Sequence, residues 1–219
     1  MDEQVLAAMA RWPNVPAVYG WLSLPESGQW RLHPEGDALK RPDSRGDEIT
    51  SPQILAFMNR NYDCDDHGQW FFQNGPQRVY VRLDAAPYIA HTTTDTSSGA
   101  LKLRTHTGLD VTGISALFLD PAGRLYAATR LGGVLVAGRD LPALLDLFTP
   151  INPDDTFTDI HDALTRALEG GHGVQLQGSG IQGLSPDPVT LQPCSEAQIE
   201  SVLGFRRLPR PPAETGPTT

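Results

Sequence analysis

A chain of 219 residues suits one large domain or two small ones and can bury a real core. Its 19 prolines and 21 glycines, with hydrophobic residues at 39%, favour many short strands and turns over long helices. A formal net charge of −9 argues against bulk nucleic acid or an anionic membrane as partner, while leaving room for a local anion site.

The N-terminal MDEQVLAAMARWP is acidic and then amphipathic, with no basic region followed by an apolar run. No stretch approaches the roughly 20 apolar residues of a membrane span. Cys64 and Cys194 lie far apart and form no framework. A reduced, cytoplasmic protein is expected.

In chain order, Val5, Leu6, Met9 and Ala10 mark one helix face, ended by Pro13 and Pro16. VYGWLSL (18–24) and SGQWRLH (27–33) read as a hairpin turning at Gly28. Residues 34–47 are polar and rich in Pro, Gly and charge, which predicts a mobile loop. Ser51 is a good N-cap for a helix with Pro52 in its first position and Ile54, Leu55, Phe57 and Met58 on its apolar face. Two strands, Gln69–Gln73 and Gln77–Leu83, flank Asn74-Gly75-Pro76. In the second, Val79, Val81 and Leu83 alternate with Arg78, Tyr80 and Arg82, which predicts one apolar face and one carrying two guanidinium groups around a tyrosine.

Further strands are expected near 87–93, 100–106, 114–119, 124–128 and 134–136. In ALKLRTH, Leu101 and Leu103 oppose Lys102, Arg104 and His106. A helix follows over 140–148. PINPDD (150–155) reads as a boundary, and Asp155–Glu169 as an amphipathic helix stopped by Gly170-Gly171. Short strands at 174–177 and 189–192 and a helix at 195–203 complete the ordered part. The expected division is an N-terminal α+β half over 1–85, a second β-rich half over 86–149 ending in a helix, a C-terminal helix–strand–helix appendix over 150–205, and a disordered tail over 206–219, too poor in apolar residues to fold. The fold class is α+β, a β-rich core of antiparallel strands with short helices and a small C-terminal α/β appendix. A glycine placed two residues before an aromatic or leucine recurs at 27–33, 66–81 and 121–136; duplication and the chance product of glycine turns both account for it.

Gly68-Gln69-Trp70-Phe71, Asp84-Ala85-Ala86-Pro87-Tyr88 and Leu101-Lys102-Leu103-Arg104-Thr105 carry a resemblance. Residues 18–148 look like a small uncharacterised bacterial family, which in turn resembles a broader proteobacterial family of unknown function. That family pairs a G-x-W-(F/Y) opening and a helix with a strand pair ending in D-A-P-(F/Y), then a strand near L-x-(F/L)-x-T. The resemblance implies a duplicated β-rich core whose second half is superficially like a pleckstrin-homology domain. It also implies a site for a nucleotide-like ligand at the interface of the two halves, and a signalling role. This chain departs by the extra Ala85 in the D-A-P element and by the segment from 150 onward.

Asp63-Cys64-Asp65-Asp66-His67 offers thiol, carboxylates and imidazole, but a closed zinc site needs four ligands and no CxxC or HxxxH partner follows, so it reads as an acidic turn. GSGIQG (178–183) matches a dinucleotide fingerprint, yet Leu184-Ser185-Pro186-Asp187-Pro188 cannot be the helix that fingerprint requires, so it reads as a loop. Asp159, His161 and Asp162 read as a helix start. No catalytic residue, metal ligand or cofactor is assigned. Between Pro76 and His106 stand four cations, Arg78, Arg82, Lys102 and Arg104, against two acids, Asp84 and Asp95. Arginine offers phosphate a bidentate fork, Trp70, Phe72 and Tyr80 offer stacking faces, and Arg60 at a helix end adds a donor. A solvated face with arginine stems covering aromatics explains the same residues. The expectation is a non-enzymatic module for a phosphate-bearing ligand; the alternatives are a protein–protein interaction module and a metal-dependent hydrolase using Asp63–His67.

Overall fold

Short runs of alternating apolar and polar residues between glycine turns produce strands, and two curled sheets dominate a mixed α+β chain. The structure, a computed structural model, describes residues 1–151 and 159–211. The chain divides into two compact units: one of Met1–Pro25, Gln29–Asp84 and the segment from Arg206, the other of Glu26–Gly28 and Ala85–Phe205. Among the described residues no helix is long and apolar enough to cross a membrane.

The first unit contains α1 (Glu3–Arg11), β1 (Val18–Leu24), β2 (Arg31–Leu32), β3 (Asp47–Glu48), α2 (Pro52–Arg60), β4 (Tyr62–Cys64), β5 (Trp70–Asn74) and β6 (Gln77–Leu83). The six strands form one sheet in the order β3-β2-β1-β6-β5-β4. Its centre is a parallel pair, β1 with β6, irregular between Val18 and Leu22. The irregularity contains Gly20, whose φ is +83°. Ala38 N–H donates to the Gly20 carbonyl at 3.0 Å, and a Cβ on Gly20 would collide with the Gly36 carbonyl oxygen. Only glycine lets the 34–46 loop dock there. At α2 the Ser51 hydroxyl accepts from Ile54 N–H at 3.5 Å and Pro52 occupies the first turn, as the N-cap pattern requires. Met58 is buried, Phe57 meets Phe72 edge-on with centroids 5.5 Å apart, and Ile54 remains exposed.

The second unit contains β7 (Tyr88–Thr94), β8 (Leu101–Thr105), β9 (Ala116–Leu119), β10 (Leu125–Thr129), β11 (Gly132–Val136), α3 (Leu141–Leu145), β12 (Phe148–Ile151), α4 (Ile160–Gly170), β13 (Val174–Gly178), β14 (Ile181–Gln182), β15 (Val189–Pro193) and α5 (Glu196–Leu203). Nine strands make one sheet, β12-β13-β15-β9-β10-β11-β7-β8-β14. The strands of residues 150–205 therefore extend this sheet instead of forming one of their own: β15 runs parallel to β9 and β14 parallel to β8. Asp159 caps α4 by accepting from Asp162 N–H at 2.9 Å, which gives the acidic helix start a structural role. Part of PINPDD and the expected first residues of that helix, 155–158, lie outside the described residues.

At the turn between β9 and β10, Asp120 is fully buried and accepts from Ala122 N–H and Arg124 N–H, each at 2.9 Å. Arg124 donates to Asp120 at 2.6 Å and to Glu26 at 2.8 Å, and lies 3.4 Å from Glu196. A buried carboxylate is tolerated here because two backbone N–H groups meet one oxygen and a guanidinium meets the other.

Candidate functional site

Most of the cations singled out from the sequence are committed to the fold. Arg82 is 4% exposed. Its guanidinium donates to Asp84 at 2.9 Å, to the carbonyls of Ala38 at 2.8 Å and Arg41 at 3.3 Å, and to that of Ser44 at 3.1 Å. The face of β6 expected to be solvated is therefore covered, because the polar loop before β3 folds over it and supplies carbonyls. Arg60 forks onto Asp2, at 3.0 Å through Nε, and also donates to the Ala56 carbonyl. Those contacts hold the Asp2 carboxyl below its ordinary value, Arg60 contributing most and Asn61 next. Trp70 and Phe72 are buried and line neither of the hollows beside Arg78 and Tyr80. In the second unit, Lys102 and Arg104 lie 3.5 and 3.8 Å from Asp110, and Arg104 donates to the Gly108 carbonyl.

Arg78 and Tyr80 fare differently. The Arg78 guanidinium carbon lies over Phe71, 4.0 Å from the ring centroid, a cation–π arrangement. Tyr80 stacks on Tyr19 with centroids 4.6 Å apart and ring planes 8° from parallel. The Tyr80 hydroxyl donates to Asp65 at 2.8 Å. Asp65 opens the tight turn between β4 and β5 and also accepts from the backbone N–H groups of His67 and Gln69, each at 2.9 Å, and from the Gln69 side chain at 3.2 Å. Burial pushes the Asp65 carboxyl up, but those hydrogen bonds outweigh it and hold it below the ordinary range. Tyr19 is pushed up to about 12, by burial first and then by Tyr80 and Asp65. Tyr80 is also raised, mainly by burial, with Arg78 opposing and Asp65 reinforcing. Both phenols are neutral donors at physiological pH.

The chain returns to this corner at its C-terminal end. Arg206 N–H donates to the Gly68 carbonyl at 2.8 Å, Leu83 N–H donates to the Arg207 carbonyl at 2.9 Å, and Arg210 N–H donates to the Gln69 side-chain oxygen. Residues 206–211, expected as the start of a disordered tail, are thus stitched to the first unit; residues 212–219 lie outside the described residues. Anchoring the backbone leaves Arg206 and Arg210 exposed beside a hollow of about 320 Å³ lined also by Tyr19, Tyr80, Gln69 and His67. Among the described residues neither arginine has an ion-pair partner. A second hollow, of about 740 Å³, shares Tyr19, Tyr80 and Pro211 with the first and is walled by Arg78 and the half-exposed Trp12. Among the described residues, the arginine and carboxylate side chains lining the two are Arg78, Arg206 and Arg210 and Asp65, which already accepts four hydrogen bonds.

Sequence reasoning reached Arg78 and Tyr80 but missed Trp12, Tyr19, Gln69, Arg206 and Arg210. The one visible signal was the RRLPR cluster, three cations within five residues of an acidic chain. The Asp63–His67 stretch is built otherwise: Cys64 is exposed, its thiol raised by burial of the sulfur and by Asp63, Asp65 and Asp66. Among the described residues no three His, Cys, Asp or Glu side chains gather as a metal site.

Residues 1–210 match the family model DUF2944, described as "Protein of unknown function (DUF2946)". As the sequence led us to expect, this is an uncharacterised family. No curated protein matches the chain. Among solved structures, a DUF1285 family protein from Silicibacter pomeroyi DSS-3 is 18% identical with a TM-score of 0.43, covering 70% of this chain and 87% of its own. A DUF1285 family protein from Shewanella baltica OS155 is 12% identical with a TM-score of 0.40, covering 58% of this chain and 91% of its own.

Proposed function

We propose, for a chain that belongs to the DUF2944 family, that the first unit is a binding module for a small phosphate-bearing ligand with a planar group. The observation that carries this reading is the pair of exposed arginines, Arg206 and Arg210, held by their backbones beside two neutral phenols. Guanidinium groups fork onto phosphate oxygens, and the Tyr80 and Gln69 donors occupy the neighbouring Asp65 carboxylate, so that the arginines are left to the ligand. The adjoining hollow, with Trp12 at its edge, offers the planar group a stacking face. Nothing in this arrangement needs a reacting group, so recognition is the whole of the proposed activity.

The test is a thermal-shift titration with inorganic pyrophosphate and with ADP at low salt. A ligand at a hundredfold excess over its dissociation constant adds about 2.7 kcal/mol of stability. Both probes are expected to raise Tm, with ADP the tighter. The double substitution Arg206→Ala/Arg210→Ala is expected to weaken both at least tenfold, whereas Trp12→Ala weakens only ADP. Silence towards both probes in the wild-type protein, or undiminished binding in the double variant, would overturn the reading. Raising the salt should weaken binding, because exposed charges are screened over about 8–10 Å.

A further inference from the structure

A second site, chemically opposite to the first, lies elsewhere on the first unit and goes beyond the reading above. The sheet face beneath α2 is not fully covered by that helix. A hollow of about 740 Å³ remains, floored by the buried Leu22, Met58, Phe72 and Val79. Its walls include Trp21, Leu32 and Ile54, which are 42%, 39% and 51% exposed. Single exposed apolar side chains are ordinary on a protein surface, but three that border one apolar hollow are a feature of binding sites. The volume falls in the range of small-molecule sites, roughly 300–1,000 Å³. One rim is β3, which contributes Asp47 and Glu48; among the described residues no lysine, arginine or histidine lines the hollow. Glu48 lies 3.6 Å from Arg31, while Asp47 is exposed and has no ion-pair partner among the described residues.

From this charge pattern we infer that the hollow binds a small molecule with an apolar body and a cationic end. The body displaces water from the Leu22–Phe72 floor, and the cation meets the Asp47 carboxylate at the rim. An anionic amphiphile of the same length would bring like charge to the rim and gain only the burial.

Calorimetric titration of the full chain with octyltrimethylammonium and with octanoate, each below its micelle concentration, separates the two contributions. The cation is expected to bind saturably at one per chain and at least tenfold more tightly than octanoate. Asp47→Asn should reduce that preference to threefold or less. Ile54→Gln, at a half-exposed position, should cut octyltrimethylammonium binding at least tenfold while leaving Tm within about 2 °C. The Arg206→Ala/Arg210→Ala variant should bind octyltrimethylammonium as the wild type does, so failure of one site is distinguishable from failure of the other. Octanoate binding as tightly as the cation would overturn the inference, and so would Ile54→Gln leaving octyltrimethylammonium binding intact. A concentration-dependent dimer that dissolves in Ile54→Gln would also overturn it, by assigning the face to a second copy of the chain.

Discussion

Replacing Arg82 with alanine is expected to cost about 3–5 kcal/mol of stability, the scale for removing one partner of a buried charged network. The guanidinium is 4% exposed and joins strand β6 to three carbonyls of the preceding loop as well as to Asp84. Its loss removes the donor to the carbonyls of Ala38 and Ser44 and leaves Asp84 without its cation, while the Arg41 carbonyl keeps the Ser44 N–H at 3.0 Å. Each buried acceptor left unmade costs on the order of 1–3 kcal/mol. Lysine should rescue only a minor part, since a single ammonium cannot reproduce the planar fork that reaches four acceptors. Urea unfolding at pH 7 checks this through the midpoint. A loss below about 1 kcal/mol would mean that the 34–46 loop is held by something else. The same experiment bears on ligand work: an Arg82 variant that fails to bind has lost its fold first.

Acid is expected to destabilise the second unit steeply below pH 6.5. His106 is half-buried with its Nε2 shielded from solvent, its Nδ1 accepts from Ile89 N–H at 3.3 Å, and its pKa is lowered from 6.5 to about 3, by desolvation first and by His91 second. The sign follows from proton counting. Between about pH 3 and 6.5 the unfolded chain holds a proton on this imidazole and the folded chain does not, so stability rises with pH in that window and falls as pH drops through it. The slope approaches about 1.4 kcal/mol per pH unit. His33 in the first unit acts in the same direction: its pKa is lowered by burial and by Arg82, and its ring is hydrogen-bonded to Ser23 and Ser44 at 2.9 and 3.2 Å. Unfolding free energies at pH 6 and pH 5, compared between wild type and His106→Leu, isolate the contribution. The variant should lose about 1 kcal/mol at pH 7, where the Ile89 hydrogen bond is missing, and regain it relative to wild type by pH 5. Identical slopes in the two proteins would show that His106 charges freely in the folded state.

Local signals in the sequence reached the local structure. Ser51-Pro52 announced α2, and the alternation of Val79, Val81 and Leu83 announced β6. What stayed hidden depends on contacts distant in sequence. Alternation shows that Tyr80 and Arg82 share a face; it does not show that Gly20 admits a loop whose carbonyls cover Arg82. The parallel pairings of β1 with β6, β15 with β9 and β14 with β8 join residues whose separation no periodicity records. β3, two residues long, is too short for any pattern. The candidate site was half legible. Arg78 and Tyr80 lie on a strand that reads clearly, whereas Tyr19, Arg206 and Arg210 reach them only through the sheet and the returning C-terminal segment. A proline-rich run with little apolar content reads as a tail, and backbone hydrogen bonds to Gly68, Gln69 and Leu83 need no apolar side chains to hold it.

The most direct test of the anion site is its location. A ¹⁵N-resolved NMR titration of the full chain with pyrophosphate, including the arginine Nε–H signals, reads position rather than affinity alone. The account predicts that the perturbed signals are the Nε–H groups of Arg206 and Arg210 and the backbone amides of Gln69 and Tyr80, while the Nε–H of Arg82, locked onto Asp84, stays still. Perturbations centred on Lys102 and Arg104, with Arg206 and Arg210 unmoved, would contradict it.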